Sequence, residues 1–218
     1  MDAMVESGLS GAIPTRFPLF PLSGAILLPG GNLPLNIFEP RYLQMTRDAM
    51  QADRVIGMIQ PCGDRSGDPP KVYQIGCLGR IASFAETEDG RYLIGLMGLC
   101  RYDVLEEMTV ATPYRQIVAS FDRWQGDLTQ QTVPEGLRPT LCAALRHYFE
   151  VKDISADWSQ IEAAPLVGLI TSLAMICPFE PCEKQALLEA VDAEARARTL
   201  IALLQMGALG DRDLGMRH

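Results

Sequence analysis

The sequence predicts an α+β protein: a β-rich first half that coils into a curved sheet or small barrel, followed by a bundle of helices. Three observations carry this. From Arg16 to about Arg123 the apolar residues come in short runs rich in Val, Ile, Tyr and Phe, punctuated by Gly, Pro and Asp. From about Val133 onward they recur at helical spacing instead. The strand-like runs have no helices regularly interleaved, which argues against a doubly wound parallel sheet.

The β-rich half opens with RFPLFPL. AILLPGGNLPLNIF follows, interrupted by Pro29-Gly30-Gly31. Within it Leu33, Leu35 and Ile37 fall on one side. Pro34 cannot donate to a ladder, so this strand belongs at an edge or begins irregularly. After Phe38 the period changes. Pro40 has a helical φ and no N–H, which suits a first helical position, and Glu39 before it favours the helix dipole. RYLQMTRDAMQAD then puts Tyr42, Met45 and Ala49 on one helical face. RVIGMIQP, KVYQIGCLGRIASFAE, RYLIGLMGLCRYDVLEE and YRQIVASFD read as further strands. Asp89-Gly90, between the second and third of these runs, signals a tight hairpin turn. Gly76, Gly79, Gly95 and Gly98 lie inside strands and point to bulges or strong curvature.

The helical half begins with PEGLRPTLCAALRHYFEV, whose stripe is Leu137, Leu141, Leu145 and Tyr148. Pro139 is tolerable there only in the first turn. SADWSQIEAA is a short helix opened by Ser155 or Asp157. APLVGLITSLAMIC reads as a buried helix stopped by Pro178, EPCEKQALLEAVD starts on Pro181, and DAEARARTLIALLQMGAL starts from Asp192 with Leu200, Leu203 and Leu204 inward. Four or five helices on short connections make a compact bundle. The expected boundaries are a tail over 1–15, the β-rich domain over 16–123, a polar linker over 124–136, the bundle over 137–209 and a second tail over 210–218.

Composition narrows the function. With 19 basic and 27 acidic residues the net charge is −8, which speaks against a nucleic-acid binder relying on counterion release. The opening MDAMVESGLS has neither the basic nor the apolar region of a signal peptide. No stretch reaches the roughly 18 uncharged apolar residues of a membrane span. A cytoplasmic protein is expected. The six cysteines are scattered in apolar surroundings without zinc-ligand spacing, so buried reduced thiols are expected and no metal site. No phosphate-binding loop, dinucleotide fingerprint or nucleophile elbow is present, and no cofactor is implied. Ser66 and Lys71 sit in a polar loop, CGDRSGDPPK, with nothing to desolvate the lysine. No catalytic residue is assigned.

The string FPLFPLSGAILLPGGNLPLNIFEPRYLQM resembles the start of the Lon N-terminal domain family. RVIGMIQP, VYQIGCLGRI and DGRYLIGLMGLCRYDV follow in the family's order, and the helical part resembles that of short stand-alone bacterial members. The resemblance implies a PUA-like β pseudo-barrel followed by a helical bundle. It also implies a substrate-recognition role, with the ATPase and peptidase chemistry carried by domains that this sequence does not contain. Phe38, Glu39, Pro40, Arg41 and Tyr42 match the family signature, and a structural role at the strand–helix corner is expected of them, Arg41 and Glu39 serving stability above binding. The first expectation of function is therefore a non-enzymatic module for a polypeptide substrate or protein partner. An RNA-binding module and a small hydrolase with an unrecognised site are the alternatives. Two readings stand for Leu33, Phe38, Tyr42 and Met45: they fill the core where barrel meets bundle, as apolar stripes usually do, or they line a docking crevice there, with methionines suited to adaptable recognition. The sequence sets no oligomeric state.

Overall fold

A computed structural model describes residues 13–63 and 70–215. The chain divides into two compact units between Gln130 and Gln131. In the first unit lie β1 (Arg16–Pro21), β2 (Asn32–Ile37), α1 (Pro40–Gln51), β3 (Val55–Ile59), β4 (Ile75–Glu86), β5 (Tyr92–Glu107) and β6 (Arg115–Ser120). The strand order is β2-β5-β4-β3-β1-β6, and β6 returns to pair with β5. Five strands thus close a ring, and β2 is left outside it as the free edge that Pro34 requires. β1 and β3 are parallel, joined across α1, and every other pair is antiparallel. This is the expected α+β pseudo-barrel.

Closure depends on curvature. The β4–β5 ladder slips register between Leu78 and Gly79 and again between Ile81 and Ser83, and β5–β6 slips between Val104 and Glu106. Bulges of this kind bend a strand and increase its twist. Gly98 lets the β1–β2 connection cross the sheet closely: a Cβ there would lie 2.0 Å from the Leu28 carbonyl oxygen. Inside the ring Phe17, Tyr102 and Phe121 form an aromatic cluster, with Phe17 and Tyr102 centroids 5.0 Å apart. The Tyr102 hydroxyl donates to the Met58 carbonyl at 3.0 Å. All five residues of β3 are buried, so its run is continuously apolar rather than alternating.

The segment expected to begin a linker is instead part of this unit. Asp122–Leu128 forms 3-10 turns against the barrel. Trp124 is buried and stacks over the Arg101 guanidinium at 3.9 Å. Arg101 and Asp127, 2% and 3% exposed, form a forked ion pair at 2.7 and 2.8 Å, and the Arg101 backbone N–H also donates to Asp127. Cys100 lies beneath, its sulfur 3.4 Å from the Trp124 carbonyl. Burial, reinforced by the Asp127 charge, pushes its thiol up to about 12.

In the second unit are α2 (Arg138–Val151), α3 (Trp158–Ala163), α4 (Leu166–Ile176), α5 (Pro181–Glu189) and α6 (Ala193–Gly215). α6 packs against α2, α4 and α5. Caps explain where helices begin. Asp157 accepts from the backbone N–H groups of Ser159 and Gln160, and Glu180 with Glu183 forms a reciprocal capping box ahead of Pro181. Lys184 is buried and its ammonium donates to the Met175 carbonyl in the last turn of α4. Three expectations change. Leu137 belongs to a 3-10 turn and is half-buried, because Pro139 forces the helix to start later. Leu203 is half-buried while Ala197, Leu200, Leu204 and Ala208 face inward. The last helix continues to Gly215 rather than ending by 209.

Candidate functional site

β4 and β5 outlast their barrel neighbour β3. Pairing of β3 with β4 ends at Val55 opposite Arg80, with one further bond from the Ile81 N–H to the Arg54 carbonyl. Beyond it and the bulge at Ala82, residues 83–86 pair with β5 alone, and β5 carries β2 on its other side. The result is a three-stranded arm, β2-β5-β4. The expected Asp-Gly turn closes it. The Thr87 N–H donates to the Arg91 carbonyl, the Arg91 N–H donates back to the Thr87 hydroxyl, and Gly90 takes the positive φ of 77° that the turn needs.

Residues directly opposite in a ladder share a face. One face of the arm therefore carries Asn32, Pro34 and Asn36 on β2, Leu93, Gly95 and Met97 on β5, and Ser83 and Ala85 on β4. Gly95 puts no side chain into the middle of it. A cleft of about 490 Å³ results, bordered by Pro34, Asn36, Ser83, Ala85 and Leu93. Leu93 and Met97 are 46% and 38% exposed. On the opposite face Phe84, 41% exposed, lies edge-tilted on Tyr92 with centroids 4.9 Å apart. Phe38, just past the end of β2, is 61% exposed, with the Arg91 guanidinium 5.9 Å from its ring. Exposed apolar side chains thus cluster along the arm on both faces.

The strand–helix corner behaves differently. Pro40 opens α1 as expected, but the Glu39 side chain caps no backbone N–H. It pairs with Arg41 at 2.8 Å on the surface, and Arg41 lies over the Tyr42 ring. The residues expected to line a docking site are scattered. Phe38 alone is well exposed. Leu33 is half-buried opposite Leu96. Tyr42 packs its ring against Phe20, centroids 4.5 Å apart, and burial raises its phenol above the ordinary value. Met45 is fully buried and has no surface to offer a partner. The reason is geometric: Tyr42, Met45, Thr46 and Ala49 form the stripe by which α1 covers the barrel, so the core consumes them.

A second cleft, of about 710 Å³, borders Tyr42, Tyr114, Arg115 and Pro113. Its charges are already matched. Arg115 grips Glu107 in a fork and donates to the Pro70 carbonyl. The Tyr114 hydroxyl donates to Asp48 at 2.7 Å, and burial together with that bond pushes its phenol up. Among the described residues no group of three or more His, Cys, Asp or Glu side chains could hold a metal ion. Ser66 lies outside the described residues, and Lys71 is exposed. Of the six cysteines, all free, Cys77, Cys100 and Cys177 are buried, but Cys182 is exposed in the first turn of α5, contrary to the expectation that the thiols are interior.

The profile of the ATP-dependent protease La (LON) substrate-binding domain matches residues 16–206. The chain belongs to that family. Its sequence is 29% identical over 210 residues to Lon protease 2 of Myxococcus xanthus, an alignment covering 93% of this chain and 25% of the relative. It is 27% identical over 199 residues to the Lon protease of Anaeromyxobacter dehalogenans, covering 88% and 23%. The chain thus spans about a quarter of the length of the curated relatives it matches. Two solved Lon structures share the fold. The Lon N-terminal domain protein from Xanthomonas campestris superposes with a TM-score of 0.61 at 24% identity, over 87% of this chain and 98% of that one. The N-terminal domain of the Mycobacterium avium complex Lon protease does so at 0.60 and 14% identity, over 87% and 97%. The LON-domain resemblance read from PLFPL and FEPRY is therefore borne out, and so is the pseudo-barrel with helices that it implied.

Sequence reasoning missed Phe84, Leu93 and Met97. A signal was present. YLIGLM is apolar at successive positions rather than alternating, and in an antiparallel strand that marks a second face with something to cover it.

Proposed function

We propose that this LON domain is a non-catalytic module that binds polypeptides through the exposed apolar surface of the β2-β5-β4 arm. The observation that carries the reading is the exposure of Leu93 and Met97 on the face of the arm that holds the cleft floored by Gly95, with Phe84 exposed on the other face, in a chain whose family is described by substrate binding. Apolar residues grouped on a surface mark docking sites more often than single ones do. The arm offers no nucleophile–base pair, so its chemistry is burial of an incoming apolar segment, and the module works without ATPase or peptidase activity of its own. Cytoplasmic location is part of the same proposal, supported by six cysteines of which none is in a disulfide. Among the described residues no helix is long and apolar enough to cross a membrane.

The test is fluorescence anisotropy with labelled ribonuclease A that has been reduced and carboxamidomethylated, a permanently unfolded chain. Leu93→Asp and Met97→Asp place charges on the apolar face without touching the core. Each is expected to weaken binding about tenfold, corresponding to roughly 1.4 kcal/mol, while far-UV circular dichroism and the melting temperature stay near those of the parent. Unchanged affinity in both variants would move the site elsewhere.

A further inference from the structure

The arm has two outer edges, and they differ. In a strand, successive backbone N–H and C=O groups point to alternate sides. The Thr87 N–H donates to the Arg91 carbonyl, so Thr87 faces β5. Counting back, Ala85 and Ser83 also face β5, and Glu86 and Phe84 turn their N–H and C=O groups outward. The same alternation carried across β5 turns Leu33, Leu35 and Ile37 toward β5 and Asn32, Pro34 and Asn36 toward the other side. Pro34, which has no N–H, falls on the outward set, as it must. The β2 edge is therefore interrupted at its centre. The β4 edge is not: from Ala82 to Glu86 every residue is exposed, none is a proline, and no backbone partner lies on that side among the described residues. An uncovered edge of this kind is a template for another strand.

We infer that the β4 edge from Ala82 to Glu86 receives an extended segment of the bound polypeptide as an added strand. The inference rests on the polypeptide-binding reading above and names how the grip is made. The segment's main chain pairs with the outward N–H and C=O groups of Phe84 and Glu86, and a side chain opposite Phe84 lies on its exposed ring. The window is short, about 17 Å at the usual rise per residue. The Arg54 carbonyl bonded to Ile81 bounds it at one end and the Thr87–Arg91 turn at the other. That length suits about five residues of flexible chain. Charge selects among such chains. Glu86 and Glu88 stand exposed without an ion-pair partner among the described residues, whereas Asp89 is held by Arg91 at 2.8 Å. A lysine or arginine at the end of the segment nearest the turn completes the match. Main-chain pairing of this sort recognises extension rather than sequence, and side chains add a preference for an apolar residue followed by a basic one.

Amide hydrogen exchange followed by NMR tests this on the whole chain, with unfolded carboxamidomethylated ribonuclease A as the probe. In the free protein the Ser83 and Ala85 amides are expected to exchange slowly and those of Phe84 and Glu86 fast. Saturation with probe is expected to slow Phe84 and Glu86 at least tenfold. Glu86→Pro removes the outward N–H and is expected to weaken binding about fivefold beyond Glu86→Ala, one hydrogen bond's worth. If the probe binds yet Phe84 and Glu86 exchange as before, strand addition is wrong and the binding reading survives. If the probe does not bind at all, both fall. If the two amides slow on concentrating the protein alone, the occupant is a second copy and the inference is overturned.

Discussion

Asp127→Ala should be among the most damaging single changes outside the hydrophobic core. The carboxylate is 3% exposed and satisfies three N–H groups of one residue: the Arg101 backbone, its Nε and one Nη. Removing it takes the carboxylate away from a guanidinium that is 2% exposed beneath Trp124. Deleting one partner of a buried pair costs about 3–5 kcal/mol, mostly desolvation of the charge left behind. For a chain of this size each kcal/mol moves the melting temperature by about 2–4 °C, so a fall of roughly 6–20 °C is expected. Circular dichroism melts measure it. Tryptophan emission localises it, since Trp124 is one of two tryptophans and should shift to the red as the 3-10 segment detaches. Replacing both partners together, Arg101→Met with Asp127→Leu, should recover much of the loss, because no charge is then buried. An Asp127→Ala variant melting within about 2 °C of the parent would refute the reasoning, since each kcal/mol should show as at least that much.

Two further changes separate burial from appearance. Gly98→Ala should cost about 3 kcal/mol or more, at the upper end of overpacking penalties, because the clash is with backbone that cannot rotate away. Bonds from Gly30 to Gly98 and from Gly98 to Gly31 hold that crossing at 2.9 and 2.8 Å. A melt indistinguishable from the parent would show that the crossing can open. Arg41→Ala should lower the melting temperature by no more than about 4 °C, because an exposed ion pair is worth at most about 1 kcal/mol. Its pair with Glu39 is 51% and 43% exposed, so the signature arginine is not the anchor of the corner that the sequence suggested. A fall beyond about 5 °C would restore that role.

Local features were legible in the sequence because their causes are local. Pro40, Pro181 and Asp157 start helices for steric and hydrogen-bonding reasons that need no tertiary context. Asp89-Gly90 makes its turn for the same kind of reason, and Pro34 announces an edge by lacking a donor. Ring closure was visible only in outline. Glycines inside strands signalled curvature, but nothing local says that β6 pairs with both β1 and β5. The Arg101–Asp127 pair was invisible for a related reason. RWQGDLTQQT is polar by composition and reads as a linker, and only the barrel end that receives Trp124 makes its first half interior. The docking residues failed in the opposite sense. Tyr42 and Met45 show an apolar stripe, and a stripe records that something covers it, not what. Here the barrel covers it, and the uncovered apolar residues lie in YLIGLM, where the missing alternation was the trace.

The arm begins at one irregularity in β4. The slip between Ile81 and Ser83 leaves Ala82 without a partner on β5 and turns the strand away from β3, whose pairing ends at Arg80. On the barrel side every strand of the ring has two neighbours, and a closed ring offers no template for aggregation. On the far side β4 continues with β5 alone, and backbone groups at Phe84 and Glu86 are left to water. Without the bulge, β3 or its preceding loop could follow β4 outward and cover that edge, giving a better satisfied sheet with nothing to offer a partner. The buried ion pair and the tight glycine crossing both lie on the ring, where rigidity is cheap because no partner need enter. Glu86, Glu88 and Arg91 lie around the open edge, where charge keeps it from pairing with identical edges indiscriminately. The fold thus places its strongest constraints and its open hydrogen-bonding groups at opposite ends of the same two strands.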